Sequence, residues 1–192
     1  MKTKAITFSA ICIVLNLVLG KIADLLTFKV LFLDTMGTVM GAVTLGPIGG
    51  AIIGGATNLV LGVISGVDNI PFAIVNIAVG LFVGFVAKDG KFGIIKALIT
   101  GLILSVLVPL IGTPISVLVY NGVSGSGIDF IYGVLIQSGQ KVFTAAFVPR
   151  ILINIIDKPA SCILASIILS KLPKNMISDL RKNNKSQQSI SL

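Results

Sequence analysis

The chain has 192 residues, of which 55% are hydrophobic and only 11% are charged, and its mean hydropathy is +1.05. Soluble globular proteins carry charge on about 25% of their residues, so this composition excludes an ordinary soluble domain, a coiled coil and a disordered chain. It also excludes a nucleic-acid-binding protein, despite a net charge of +8. We therefore predict an all-α polytopic membrane protein.

Six stretches are apolar enough to cross a bilayer, which takes roughly 20 residues, or fewer where the bilayer thins. The second stretch is unusually short, and Gly46-Pro47 separates it from the third, because proline fixes its own backbone and lacks an N–H. In chain order, the predicted transmembrane helices cover residues 5–24, 33–45, 48–64, 70–87, 92–120 and 158–172.

The segment 121–157 is too apolar for an ordinary loop. It begins with a Gly- and Ser-rich stretch, 121–127, which is typical of a flexible linker. It then places Gln137, Lys141 and Thr144 at helical spacing, as one polar stripe. We predict an interfacial or re-entrant segment between helices 5 and 6; a seventh crossing is the alternative.

The distribution of basic residues favours six crossings. With the N-terminus inside, ten Lys and Arg residues lie on the cytoplasmic side and five on the outer side, as the positive-inside rule requires. A seventh crossing would place the basic C-terminal tail outside. We expect a multi-pass protein of the cell membrane with both termini cytoplasmic, in which residues 1–172 form the membrane domain and 173–192 a basic, disordered tail.

Catalytic and metal-binding motifs are missing from the sequence. It contains no His, Trp or Glu and no Gly-x-x-x-x-Gly-Lys-[Ser/Thr] phosphate loop, so we expect neither an enzyme nor a metal site, and no cofactor. The two cysteines, Cys12 and Cys162, lie in apolar stretches and are predicted to be packing residues rather than a disulfide.

Polar residues within the predicted helices are the candidate ligand contacts, because such groups are costly in a membrane unless they are paired. For the asparagines, the alternative role is helix–helix hydrogen bonding. For Asp34 it is N-capping of helix 2. For Gln137 and Lys141 it is contact with lipid headgroups. For Arg150, which lies in a polar cluster with Asn154, Asp157 and Lys158, the alternative is a local ion-pair or capping network. The candidates are Asn58, Asn76, Asp34, Gln137, Lys141 and Arg150.

Many of the 21 glycines occur at Gly-x-x-x-Gly spacing. Membrane helices associate through small residues that let their backbones approach closely. Pairs such as Gly50/Gly54 and Gly80/Gly84 therefore predict close packing among helices 2 to 4, with docking onto another membrane subunit as the alternative.

Several short motifs, taken in order, resemble those of one family of membrane transport proteins. They are Leu33–Thr38 (LDTMGT), Leu45–Gly50 (LGPIGG), Thr57–Leu59 (TNL), Ile70–Asn76 (IPFAIVN), Asp157-Lys158 at the start of the last helix, and Leu172-Pro173-Lys174. In this order the motifs resemble the substrate-binding (S) component of energy-coupling factor (ECF) transporters, over nearly the whole chain.

The resemblance implies a subunit with six helices that captures a vitamin or related micronutrient and works with a transmembrane coupling subunit and two ABC-type ATPases. Docking in this family uses an Ala-x-x-x-Ala motif on helix 1, which Ala5-x-x-x-Ser9 matches approximately. The absence of His and Trp argues against cobalt- and nickel-specific members and against Trp-lined pockets. Riboflavin, cobalamin or a precursor, pantothenate and other micronutrients remain open.

Two other functions are compatible with the sequence. A stand-alone small-solute carrier or channel would transport without any ATPase. A membrane enzyme or assembly factor would need a catalytic cluster that the sequence does not display.

Overall fold

The computed structural model describes residues 2–25, 33–123, 129–173 and 175–181, and these ranges are helical apart from short connections. The helices are α1 (Lys2–Leu25), α2 (Met36–Ser65), a 3-10 turn (Val67–Asn69), α3 (Ala73–Val86), α4 (Ile94–Tyr120), α5 (Asp129–Gln137), α6 (Val142–Lys171) and α7 (175–181). Five spans within the described ranges are long and apolar enough to cross a membrane: Thr3–Ala23, Met36–Ser65, Val67–Val86, Ile94–Tyr120 and Val142–Lys171. By helix length and composition, the chain is a multi-pass membrane protein.

Helix α2 folds back on itself at Gly46, where the backbone has φ 78° and ψ −174°. The side chain of Ile53 packs against Gly41, and Asn16 donates hydrogen bonds to both Thr38 and Thr57, at 2.9 and 3.0 Å. In a straight helix these threonines would be about 28 Å apart. Helix α2 therefore consists of two antiparallel arms, α2a (36–45) and α2b (47–65), which meet at the predicted Gly46-Pro47 break.

Contacts at one end of the bundle join the two ends of the described chain. Lys4 near the start of α1 pairs with Asp179 of α7 at 3.0 Å, and Arg181 of α7 donates to the Val43 carbonyl at 3.4 Å, close to the Gly46 turn. We call this the turn end and the opposite one the loop end. Five helical segments run between the two ends, namely α1, α2b, α3, α4 and α6, and the shorter arm α2a reaches only part of the way from the turn end.

The last long helix begins sixteen positions before the predicted one. Helix α6 is continuous from Val142 through Pro149 and Pro159, so the prediction that Lys158 begins this helix was wrong. The sequence indicated a boundary at Asp157-Lys158 because charges are costly in a membrane, but the two side chains neutralise each other within the helix, at 2.7 Å.

The segment between α4 and α6 also differs from its prediction. Gln137 ends α5, and the chain leaves the helix until Val142, with Gly139 at φ 80°. Gln137, Lys141 and Thr144 therefore do not form one helical stripe. Helix α5 has nine residues, about 14 Å, which is too short to cross a bilayer. The predicted linker falls partly on 124–128, outside the described residues.

Glycines pack the helices together, as the Gly-x-x-x-Gly spacing predicted. The backbones of Gly50 in α2b and Gly80 in α3 are so close that a Cβ on Gly80 would collide with Gly50. Gly37 meets the Cys12 carbonyl of α1 in the same way. Both cysteines are free and fully buried, which confirms that they are packing residues.

The bundle extends past Lys171 into the region predicted as a tail. Helix α7 buries Leu180, which is 2% exposed and belongs to the same apolar core as Cys12. The remainder of the predicted tail, 182–192, lies outside the described residues.

Candidate functional site

The first turn of α2 lies part-way along the bundle, between the turn end and the loop end. Arm α2a has ten residues and α2b has nineteen, so at 1.5 Å per residue α2a ends about 13 Å short of the level that α2b reaches. Asp34, Thr35 and Thr38 therefore lie well below the loop end. Two buried polar clusters converge on this turn, which we call the α2 floor (residues 33–38).

The first cluster is a chain of hydrogen bonds around Asn16. The Asn16 amide donates to the hydroxyls of Thr38 and Thr57, and its Oδ1 accepts the Gly37 backbone N–H at 2.6 Å. The Thr38 hydroxyl in turn donates to Asn76 Oδ1 at 3.1 Å. These bonds join α1, both arms of α2 and α3 at one level.

The two predicted asparagines complete this chain. Asn76 Nδ2 donates to Asn58 Oδ1 at 2.8 Å, and Asn58 Nδ2 donates to the Asn69 carbonyl at 3.1 Å. The two side chains are 5% and 7% exposed. The structure thus brings Asn58 and Asn76 together and uses both amides for helix–helix bonds, so a ligand that reached them would have to replace one of these bonds.

Sequence reasoning missed Asn16, Thr38 and Thr57 as members of the cluster. Each lies in a predominantly apolar helix and is at most 1% exposed. An isolated amide or hydroxyl in a membrane helix needs a partner, which was the available signal. The partners themselves lie on other helices and have no sequence signature.

The second cluster is ionic and lies on the α6 side of the floor. Lys158 Nζ is 2.7 Å from Asp157 Oδ2, 3.2 Å from Asp34 Oδ1 and 3.3 Å from Thr35 Oγ1. The other carboxylate oxygen of Asp157 accepts the Leu33 backbone N–H at 2.9 Å. Side-chain exposure is 3% for Lys158, 0% for Asp157 and 41% for Asp34, so Asp34 is the accessible member.

Asp34 does not cap α2 as expected. Thr35 occupies the N-cap position, without a side-chain cap bond, and Asp34 pairs with Lys158 instead. A lysine buried this deeply needs opposite charge nearby, because desolvation of an unpaired ammonium costs several kcal/mol. The Asp34 carboxylate therefore pairs with Lys158 rather than capping the helix.

Arg150 lies nearer the loop end of α6 and is half-buried. Its guanidinium donates to Ser116 Oγ at 2.6 Å, to the Gly122 carbonyl at 3.3 Å and to the Ala146 carbonyl at 2.8 Å. It thereby fixes the end of α4 against α6. Asn154, one turn further along α6, is buried, and its Oδ1 has no hydrogen-bond partner within the described part of the chain.

The remaining predicted contacts lie at the periphery. Gln137 and Lys141 are exposed at the connection between α5 and α6. Ala5 and Ser9, the predicted docking pair on α1, are half-buried, and Ala5 packs against the core. The exposed small residues on this part of α1 are Thr3, Thr7 and Ala10.

Comparison of the chain with models of known protein families, with curated proteins and with solved structures finds no match. The candidate site therefore consists of the two polar clusters that converge on the α2 floor. They offer a half-exposed carboxylate, a buried ammonium and a set of amides and hydroxyls, which together suit a small polar ligand better than a purely apolar one. No group of three or more Cys and Asp side chains in the described ranges is arranged to hold a metal ion.

Proposed function

We propose that the chain is the substrate-capturing membrane subunit of an ATP-driven, ECF-type importer of a vitamin or related micronutrient. The observation that carries this proposal is that separate motifs of the family resemblance meet in space. Thr38 from the first motif, Thr57 and Asn58 from the third and Asn76 from the fourth belong to one hydrogen-bonded cluster. Motifs that lie far apart in the chain and converge on one level support a shared binding function.

The proposed membrane topology has six crossings with both termini cytoplasmic. The reversal at Gly46 supports it, since α2a and α2b then count as separate passes. The Lys4–Asp179 pair brings the two ends of the described chain together, which also supports an even number of passes. The basic residues described at the turn end, among them Lys88, Lys91 and Lys96, favour a cytoplasmic position for that end by the positive-inside rule.

Cysteine labelling tests this topology, with little background because both native cysteines are buried. Single cysteines at exposed Thr3, Ile48 and Ser178 should react with a membrane-impermeant thiol reagent only from the cytoplasmic side, and one at Ser138 only from outside. Labelling of Ser178→Cys from outside, with Ile48→Cys unreactive from either side, would show a straight α2 and five crossings.

The partners proposed are a transmembrane coupling subunit and two ABC-type ATPases. Helix α1 is the proposed docking element, with Ala5 and Ser9 as the predicted contacts. Close approach of membrane helices depends on small residues, so Ser9→Trp should reduce recovery of the complex. Val18→Trp, a substitution at an exposed position further along α1, is the matched control and should assemble normally.

The decisive test is transport by purified components. Proteoliposomes with this chain, the coupling subunit and the ATPases should take up one of radiolabelled riboflavin, cobalamin or pantothenate in an ATP-dependent manner. The chain alone should bind that compound without transporting it. Mass spectrometry of small molecules that co-purify with the chain identifies which compound to follow.

A stand-alone carrier is the second candidate, and the Asp34–Lys158–Asp157 cluster favours it. Ionisable groups buried in membrane helices often mark ion or proton pathways. A carrier would transport its substrate in proteoliposomes that contain this chain alone, at the rate of the full assembly. That result would overturn the ECF proposal.

A further inference from the structure

A cleft of about 1130 Å³ opens at the turn end, away from the α2 floor. Its walls are the Gly46-Pro47 turn, the α3–α4 connection, the last turns of α6 and one side of α7. Nothing in the proposed capture of substrate from the outer side uses this cleft.

Two cationic side chains line the cleft without a carboxylate partner within the described residues. Lys88 Nζ lies 4.5 Å from the centre of the Phe85 ring. Arg181 makes one long hydrogen bond, to the Val43 carbonyl at 3.4 Å, and its Nε is buried without a partner in the described ranges. The guanidinium of Arg181 therefore has more donors than described acceptors.

The acidic residue of the cleft does not cancel these charges. Asp89 accepts hydrogen bonds from Lys96 Nζ at 2.7 Å and from the Lys91 backbone N–H at 3.2 Å. These bonds, with that from Lys96 the stronger, lower the pKa of the Asp89 carboxyl. Asp89 and Lys96 together are neutral, which leaves the cleft with the positive charges of Lys88 and Arg181.

Two helix N-termini add positive potential. Arm α2b begins at Pro47 and α4 begins at Ile94, and both residues line the cleft. The N-cap of α4, Gly93, offers no side chain to its first backbone N–H groups, so these groups are donors for an anion.

The rim of the same cleft is apolar and exposed. Ile48, Phe85 and Ile94 are 58%, 56% and 58% exposed, at the level where the helices of the bundle end. A ligand that satisfies both parts of the cleft must combine an anionic group with hydrocarbon. A phospholipid with an anionic headgroup has this chemistry and occupies this level of a membrane.

We propose that the cleft binds the phosphate headgroup of an anionic phospholipid, with Arg181 and Lys88 as its cationic contacts. The planar guanidinium of Arg181 can donate two parallel N–H bonds to one phosphate. Gly90 leaves room for this group, because a Cβ at Gly90 would collide with the Arg181 guanidinium. Burial lowers the pKa of Arg181, which the nearby charge of Asp89 offsets only in part, and a bound anion would stabilise its charged form. This proposal does not depend on the transport function.

Native mass spectrometry of the detergent-purified chain tests the proposal, with phosphatidylglycerol and phosphatidylcholine of identical acyl chains as probes. The wild-type chain should retain phosphatidylglycerol preferentially. Arg181→Gln and Lys88→Gln should each weaken its retention about fivefold, the effect of one basic residue near a membrane surface. Lys91→Gln removes an exposed charge from the same turn but outside the cleft and is the matched control, with retention unchanged.

Three outcomes would overturn the proposal. Equal losses in Lys91→Gln and Lys88→Gln would show diffuse surface charge rather than a site. The site would be assigned to a soluble anion if inorganic phosphate stabilised the wild-type chain more than Lys88→Gln and the wild-type chain showed no preference for phosphatidylglycerol. Unchanged retention in Lys88→Gln, which is exposed and does not endanger folding, would refute the assignment even if Arg181→Gln unfolded.

Discussion

Replacing Lys158 by methionine isolates the energetic role of the ionic cluster. Methionine has a similar length and fills the same space, so the substitution removes charge with little change in packing. Asp157 then keeps a carboxylate with 0% side-chain exposure and loses the ammonium 2.7 Å away from it. Breaking a buried pair in this way costs about 3–5 kcal/mol, so we expect Lys158→Met to lower the free energy of unfolding by that amount.

Two further variants calibrate this value. Asp34→Asn removes the second carboxylate, which is 41% exposed and therefore screened, so its loss should cost less than about 1 kcal/mol. The double variant Asp157→Asn/Lys158→Met leaves no buried charge, and the asparagine Oδ1 still accepts the Leu33 N–H. Its loss should be well below that of Lys158→Met alone, which makes the two substitutions strongly non-additive.

The assay is reversible unfolding in mixed detergent micelles, followed by circular dichroism, for the four proteins side by side. A double variant that is less stable than Lys158→Met would refute the reasoning, because the cost would then arise from lost packing. Equal losses for Lys158→Met and Asp34→Asn would likewise contradict a buried pair dominated by Asp157.

Three more predictions follow from the described contacts. Gly80→Leu should prevent the bundle from folding, because its side chain would collide with the Gly50 backbone; gel filtration of the detergent extract should show aggregation. Asn76→Ala should lower the unfolding free energy of the ligand-free chain by about 0.6–1.7 kcal/mol, as for other transmembrane hydrogen bonds; an unchanged melting curve would argue against helix-to-helix bonding. Bonds from Lys96 lower the pKa of the Asp89 carboxyl. This carboxylate therefore stabilises the fold above its unfolded-state pKa of about 3.9, and the stabilisation is lost as pH falls through the lower folded-state pKa. The difference in stability between the wild type and Asp89→Asn should be present at neutral pH and vanish in acid.

Local signals in the sequence were sufficient to predict much of the fold. Apolar stretches of the right length predicted α1, α3 and α4 to within a few residues. Gly46-Pro47 predicted the break between the arms of α2, because proline fixes its own backbone and lacks an N–H. Glycine spacing predicted the contact of α2b with α3. In each case the deciding property belongs to the residue and its near neighbours.

Tertiary contacts decided the candidate site and the start of α6. Lys158 and Asp34 are 124 positions apart in the chain, and no local pattern couples them. Because the charge of Lys158 is paired with Asp157 and Asp34, a charged segment that looked like a helix boundary lies within a single long helix. The bonds of Asn16 to Thr38 and Thr57 likewise exist only because α2 reverses at Gly46. A buried polar group needs a hydrogen-bond or ion-pair partner. The sequence shows which residues need one, but the packing of helices that are distant in the chain determines which residue becomes the partner.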